Sequence, residues 1–228
     1  MTSKDATQFV VIGAGRFGTA VCESLYNMGK DVLVLDIDEK KIESIDHCST
    51  HAIVADATDE NTLKSVGIAN FDTVIVCTSD INQSILITLL CKELGVRKIV
   101  AKAQNRLHKV ALQKIGADVI VFPEEYMGHK IAQTLANPNY VDVTSLSEHF
   151  KLIEVATPKS WVGTSLQQLD TRKNYGVSII LVTRADGAEI FTPNGDTVLY
   201  ANDILAVGGS SKSIESFTVK VIDRDQER

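Results

Sequence analysis

The chain has 228 residues, 44% hydrophobic and 23% charged, with a formal net charge of -6. Such a composition excludes a disordered chain and leaves room for two ordinary domains. An acidic chain without a Lys/Arg run lacks the basic face that neutralises phosphate backbones, so no nucleic acid is expected as a partner.

From the start, Met1 to Asp5 carry no apolar signal-peptide core, and no run of 18 uncharged apolar residues follows. A cytoplasmic location is expected, with any membrane role exerted through a partner. Phe9 to Ile12 reads as a short apolar strand. A helix follows, with Phe17, Ala20, Val21, Leu25 and Met28 on one face and Gly29 as its stop. Val32 to Leu35 is the second strand, then a helix through Lys41 and Ile45, then the strand Ala52 to Val54. Asn61 to Val66 is a short helix closed by Gly67. The strand Thr73 to Cys77 leads to a helix capped by Asp80 and running to Leu94. Lys98 to Ala101, a helix over Arg106 to Ile115 and Val119 to Phe122 complete the set. Six apolar strands alternating with helices predict an α/β, Rossmann-like, doubly wound parallel six-stranded sheet, because only strands buried on both faces are apolar throughout.

Lys130 to Leu135 reads as one more helix, and Asn137-Pro138-Asn139 as a break. Beyond it the strands crowd together. Lys151 to Ala156, Val177 to Val182 and Asp203 to Val207 read as strands, with a helix from Ser165 to Asn174 and another from Ser213 to Phe217. Ala185-Asp186-Gly187 is a turn, and Pro193-Asn194-Gly195-Asp196 a hairpin turn in which Asn-Gly supplies positive φ. The expected organisation is a nucleotide-binding domain over 7–136 and a small C-terminal α+β domain over 140–221, with a polar tail from Arg224. Cys22, Cys48, Cys77 and Cys91 form no CxxC pair and read as buried reduced thiols, not disulfides or a zinc site.

Chemistry concentrates in Gly13-Ala14-Gly15-Arg16-Phe17-Gly18. This GxGxxG follows a strand, opens an amphipathic helix, and precedes Asp36 by 21 residues counted from Gly15. Gly13 permits the tight turn, Gly15 lets backbone N–H groups reach phosphates, and Gly18 lets the helix approach the sheet. The helix N-terminus favours an anion. Asp36 is placed to accept both hydroxyls of a ribose and would repel a 2′-phosphate, which disfavours NADP. Arg16 adds full charge to a diphosphate or triphosphate. Asp56-Ala57-Thr58 ends the third strand at the sheet's carboxyl edge, where Asp56 contacts the nucleoside, caps the helix at Asn61, or both. No catalytic motif accompanies the loop, and the five histidines are scattered. A sensor is expected in preference to an enzyme. An NAD-dependent oxidoreductase is the first alternative, and a nucleotide-sensing transcriptional regulator the second.

These motifs resemble the cytosolic regulatory subunits of Ktr/Trk potassium uptake systems (the KtrA, KtrC and TrkA family), built from an RCK N-terminal domain and an RCK_C, or TrkA_C, companion. The resemblance rests on Val11 to Gly18, Val34 to Asp38, Ala55 to Thr58, Lys114-Ile115-Gly116-Ala117-Asp118 leading to Phe122-Pro123-Glu124, and Val162 to Leu166 with Tyr175-Gly176 and Asn202 to Leu205. It implies a homo-oligomeric ring of dimers, commonly an octamer, gating a membrane-embedded, KtrB/TrkH-like potassium channel subunit. It implies ATP/ADP, or NAD/NADH in Trk-type members, bound at Gly13, Gly15, Arg16, Phe17, Gly18, Asp36, Asp38, Asp56, Ala57, Thr78 and Lys102. It also implies a divalent cation near Glu124, with Glu125 as substitute, and in some relatives cyclic di-AMP in the second domain, here loosely at Arg172, Asn174, Ser178 and Ile179. Two departures leave the nucleotide open: Thr78 to Ile81 is one residue shorter than the Ktr-type segment, and Asp56 is the Trk-like residue.

Overall fold

The computed structural model describes residues 7–136 and 140–222; the expected break at 137–139 and the tail from 224 lie outside the described residues. The chain divides into two compact units between Glu125 and Tyr126.

In the first unit the order is β1 (Gln8–Ile12), α1 (Arg16–Asn27), β2 (Asp31–Asp36), α2 (Glu39–Ile45), β3 (His51–Val54), α3 (Glu60–Ser65), β4 (Thr73–Val76), α4 (Ile81–Glu93), β5 (Ile99–Lys102), α5 (Arg106–Ile115) and β6 (Val119–Val121). The sheet runs β3-β2-β1-β4-β5-β6 and every pairing is parallel. The period of two along each strand sorts its side chains between two cores. Val10 and Ile12 join Leu33, Leu35, Val74, Val76, Leu63 and Ile87 on one face; Val11 joins Val34, Ile75, Cys22, Ile42 and Ile45 on the other. Burial on both faces is complete in the middle of the sheet and fades at its edges, where Val54 of β3 and Val119 of β6 are exposed. The chain winds outward one way through β2 and β3, then the other way through β4 to β6. This leaves a crevice at the carboxyl ends of β1 and β4.

Next comes α6 (Pro123–Ala136), which starts at Pro123 and not at Lys130 as expected. Its sequence explains the earlier start: proline suits the first helical position, and Glu124 and Glu125 complement the helix dipole. All four cysteines are free and buried.

The second unit holds β7 (Tyr140–Ser145), β8 (Phe150–Ala156), α7 (Leu166–Leu169), α8 (Thr171–Tyr175), β9 (Val177–Thr183), β10 (Glu189–Phe191), β11 (Ile204–Ser210) and α9 (Ser211–Phe217). Its sheet, ordered β10-β9-β11-β8-β7, is antiparallel. Trp161, Tyr175 and Phe217 cluster in the core with ring centroids 5.6–5.9 Å apart.

Several expectations need correcting here. The helix expected over Ser165 to Asn174 is two short helices, broken where Asp170 turns left-handed at φ 40°. Asp tolerates that conformation better than most residues. The strands β7 and β10 were not anticipated; both are edge strands, and edges lack the continuous apolar run that betrays a buried strand. The hairpin turn is Ala185-Asp186-Gly187, where Gly187 has φ 87° and the Arg184 amide bonds the Ala188 carbonyl at 2.7 Å. Asn194-Gly195 is instead a turn without positive φ, organised by the Asn194 side chain accepting the Asp196 amide at 3.1 Å.

Asp203 is 1% exposed. It pairs with Arg184 and accepts the Tyr200 amide at 2.8 Å. Removing one partner of a buried pair leaves the other charge uncompensated. Asp203→Ala should therefore lower the stability of the second unit by about 3 kcal/mol in urea denaturation, and a loss within the range of surface substitutions would contradict that role.

Candidate functional site

The loop between β1 and α1 is clamped at both ends. The Gly13 amide donates to the Leu35 carbonyl at 2.8 Å, and the Ala14 amide donates to Asp36 Oδ2 at 2.7 Å. Gly13 has φ +102°, and a Cβ there would come within 2.9 Å of the Thr78 backbone nitrogen, so both its conformation and its surroundings demand glycine. A Cβ on Gly18 would lie 1.9 Å from the Gly13 carbonyl oxygen. Gly15 differs: its φ is an ordinary -77°, and a Cβ there would meet nothing within 4 Å. Neither strain nor packing asks for glycine at 15. What its missing side chain leaves is open space in front of a helix with no side-chain cap and no acidic residue in its first turn. The first amides of a helix have no internal partner. With Gly13 and Ala14 already engaged, the donors left for an anion are those from Gly15 to Gly18, since the first internal bond is that of the Thr19 amide to the Gly15 carbonyl.

Asp36 is buried, and its carboxylate is already at work. Oδ2 accepts the Ala14 amide, Oδ1 accepts the Asp38 amide at 2.9 Å, and the Lys41 ammonium stands 3.5 Å away. A carboxylate offers about four lone-pair positions, so capacity for a ribose hydroxyl remains, though not from two free oxygens. Asp38 caps α2 by accepting the Lys40 amide at 3.0 Å.

Asp36 shares a cleft with Ile12, Gly13, Leu35, Ile37, Ala55, Asp56, Ala57, Thr58, Thr78, Gln83 and Ile87. Five expected residues thus converge: Gly13, Asp36, Asp56, Ala57 and Thr78. Asp56 does not cap the next helix. It closes a turn on Thr58, accepting the amide at 2.9 Å and the hydroxyl at 2.6 Å. The cap of α3 is Asp59, which accepts the Asn61 and Thr62 amides. The Thr62 hydroxyl and backbone hold the Asp59 carboxyl below its ordinary range. Asp80 does cap its helix, through the Gln83 amide at 2.9 Å. Gln83 was missed by sequence reasoning. Thr78 donates its hydroxyl to the Gln83 side chain at 3.3 Å, a contact the sequence does not announce because glutamine in a first helical turn is ordinary.

A second group forms beside the loop. Lys102, at the end of β5, pairs with Glu124 Oε1 at 2.8 Å and lies 5.6 Å from the centroid of the Phe17 ring. The hydrogen bond from Lys102, that from Glu124's own backbone amide, and the nearby charges of Lys102 and Arg16 hold the Glu124 carboxyl below its ordinary range. Arg16 itself is exposed on the first turn of α1 and makes no ion pair among the described residues. Glu124 therefore offers one carboxylate to a cation, and the Lys102 ammonium already sits against it. Glu125 is paired with Arg106 at 3.2 Å.

In the second unit a cleft is lined by Leu166, Gln167, Asp170, Thr171, Arg172, Ile179, Pro193, Asn194 and Gly195. Arg172 donates to the Ser178 hydroxyl at 3.1 Å. Asn174 turns back to the Leu169 carbonyl at 2.8 Å and does not line the cleft.

Residues 9–123 match the TrkA-N domain family and residues 151–220 the TrkA-C domain family. The chain is 42% identical over 217 residues to the Ktr system potassium uptake protein C of Bacillus subtilis, covering 94% of this chain and 97% of that protein. Among solved structures it is similar to the GsuK RCK domain, with TM-score 0.56 and 25% identity over 95% of this chain; it spans 47% of that longer chain. It is also similar to GsuK bound to ADP, with TM-score 0.50 and 29% identity over 57% of this chain and 34% of that one.

The glycines separate folding from binding. Gly18→Ala should destabilise the first unit by several kcal/mol, on the order of a strained core substitution, whereas Gly15→Ala should leave the thermal midpoint near that of the unsubstituted protein. Equal midpoints for the two variants would refute the reading of the loop.

Proposed function

The chain belongs to the TrkA-N/TrkA-C family, and from that membership we propose that it is a regulatory subunit of a potassium uptake system, switched by a nucleotide held at Gly13 to Gly18. The observation that carries this is the open space at Gly15 before an uncapped helix start. Residues 7–136 form the sensing domain and 140–221 the companion. The phosphates lie on the amides from Gly15 to Phe17, the ribose reaches Asp36, and the base enters the cleft beside Ile37, Ala57 and Thr78. Asp38 supports the site through the cap of α2.

The ligand is a nucleotide of the ATP/ADP type, with NAD/NADH as the competing choice. Support for the first comes from the ADP complex of GsuK and from Arg16, an exposed cation of the loop that makes no ion pair among the described residues. A ligand moves an equilibrium only by its differential affinity for two states, and ATP differs from ADP only by its γ-phosphate. Arg16 is the residue that reads it. A third phosphate near Lys102 would compete with Glu124 for that ammonium, and the released carboxylate would then take a divalent cation bridging to the phosphates.

No helix among the described residues is long and apolar enough to cross a membrane. The potassium path then belongs to a membrane-embedded partner, which a homo-oligomeric ring of this chain, an octamer of paired subunits, gates from the cytoplasmic face. The cleft at Arg172 and Ile179 is the place we assign to cyclic di-AMP. The relatives' names speak of potassium uptake and not of a redox reaction, so no substrate-dependent hydride transfer is expected.

Calorimetric titration with ATP, ADP, NADH and cyclic di-AMP tests this. ATP and ADP should bind, Gly15→Ala should abolish both, and Arg16→Ala should weaken ATP by at least about tenfold more than ADP, as the loss of one charge-assisted hydrogen bond requires. Binding of none of the four would overturn the reading. Equal loss for ATP and ADP would assign Arg16 to the shared phosphates.

A further inference from the structure

The nucleotide cleft lies at the carboxyl ends of the strands. At the opposite edge of the same sheet, before β3 begins, three ligating side chains from two separate segments come together. Glu23 projects from α1, and His47 and Cys48 from the 3-10 turn Asp46–Cys48 that follows α2. Their carboxylate, imidazole and sulfur atoms all lie within 4.8 Å of one another. Cys48 is buried, while Glu23 and His47 are exposed, so the group is closed on the sulfur side and open to solvent on the other.

The packing beneath explains why they meet. Cys22, the residue before Glu23, is fully buried and donates its thiol to the Cys48 carbonyl at 3.1 Å. The Cys48 thiol in turn donates to the Ile45 carbonyl at 3.4 Å. These contacts dock the turn on α1 in one register and bring Glu23 and His47 to the same thiol.

One thiolate, one imidazole and one carboxylate form a borderline-soft donor set. It suits zinc and is a poor match for magnesium or calcium, which take oxygen ligands. We propose that Glu23, His47 and Cys48 form a zinc site, with water in the fourth position. Tetrahedral zinc at bond lengths of about 2.0–2.3 Å puts its ligand atoms roughly 3.3–3.8 Å apart. The present spacing of up to 4.8 Å would have to close to that value, and Glu23 and His47 are the exposed side chains that would move to do it. A divalent cation would hold the Glu23 carboxylate and the Cys48 sulfur in one coordination shell, with the thiol proton released to solvent. The metal would clip α1 to the turn that feeds β3, and so stabilise the unit that carries the phosphate loop.

The test uses the full chain, stripped with a chelator and free of nucleotide. Cobalt(II) should saturate at one equivalent with a near-ultraviolet thiolate-to-cobalt charge-transfer band, which zinc(II) displaces. Glu23→Gln and His47→Gln alter exposed residues and should fold normally, yet each should weaken zinc by at least about tenfold. Cys48→Ser should remove the band. Absence of the band, or a band and a zinc affinity unchanged in both surface variants, would overturn the proposal. If Cys48→Ser does not fold, the two surface variants decide the matter.

Discussion

A single buried carboxylate organises the first unit. Asp36 ends β2 and would be costly to bury alone, since a desolvated charge needs partners. It finds them in the Ala14 and Asp38 amides and in Lys41. The bond to Ala14 ties the end of β2 to the turn leaving β1, and the Gly13 amide bond to Leu35 ties the same two strands one residue earlier. Together they decide where α1 starts and which way its first amides point.

Everything around the cleft follows from that placement. Because β1 lies at the centre of the sheet, its loop sits where the winding reverses, between β2 on one side and β4 on the other. Thr78, just beyond β4, presses on Gly13 from behind. Asp56 to Thr58 close the side toward β3, and Lys102 arrives from β5 to stand between Phe17 and Glu124. Residues far apart in sequence meet because parallel strands end along one edge. The same topology places the Glu23, His47 and Cys48 group at the other edge, where α1 runs down to the turn before β3.

The legible parts of this fold were those where one residue has one physical reason to be present. Val10 to Ile12, Val32 to Leu35 and Val74 to Val76 announce buried strands by being apolar throughout. Gly13 and Gly18 announce a turn and a close approach. Asp80 announces a cap. What could not be read were choices between equivalent local signals. Asp56 and Asp59 are both plausible caps, and the chain spends one on a turn and the other on α3. Asn194-Gly195 and Asp186-Gly187 are both turn signals, and strand pairing selected the second. The edge strands β7 and β10 draw their register from neighbours and not from their own pattern. The Lys102–Glu124 pair and the meeting of Glu23 with His47 and Cys48 depend on the tertiary fold alone.

Family membership and geometry meet at the loop. Of its amides, two are spent inside the protein, and at Gly15, the next residue, a side chain would meet open space that neither packing nor backbone strain explains. Amide hydrogen exchange with and without saturating ADP addresses this most directly. Slowed exchange at Gly15, Arg16 and Phe17, with Gly13 and Ala14 already protected in the free protein, is the predicted result. Unchanged exchange at those three amides while ADP is bound would place the phosphates elsewhere and contradict the account.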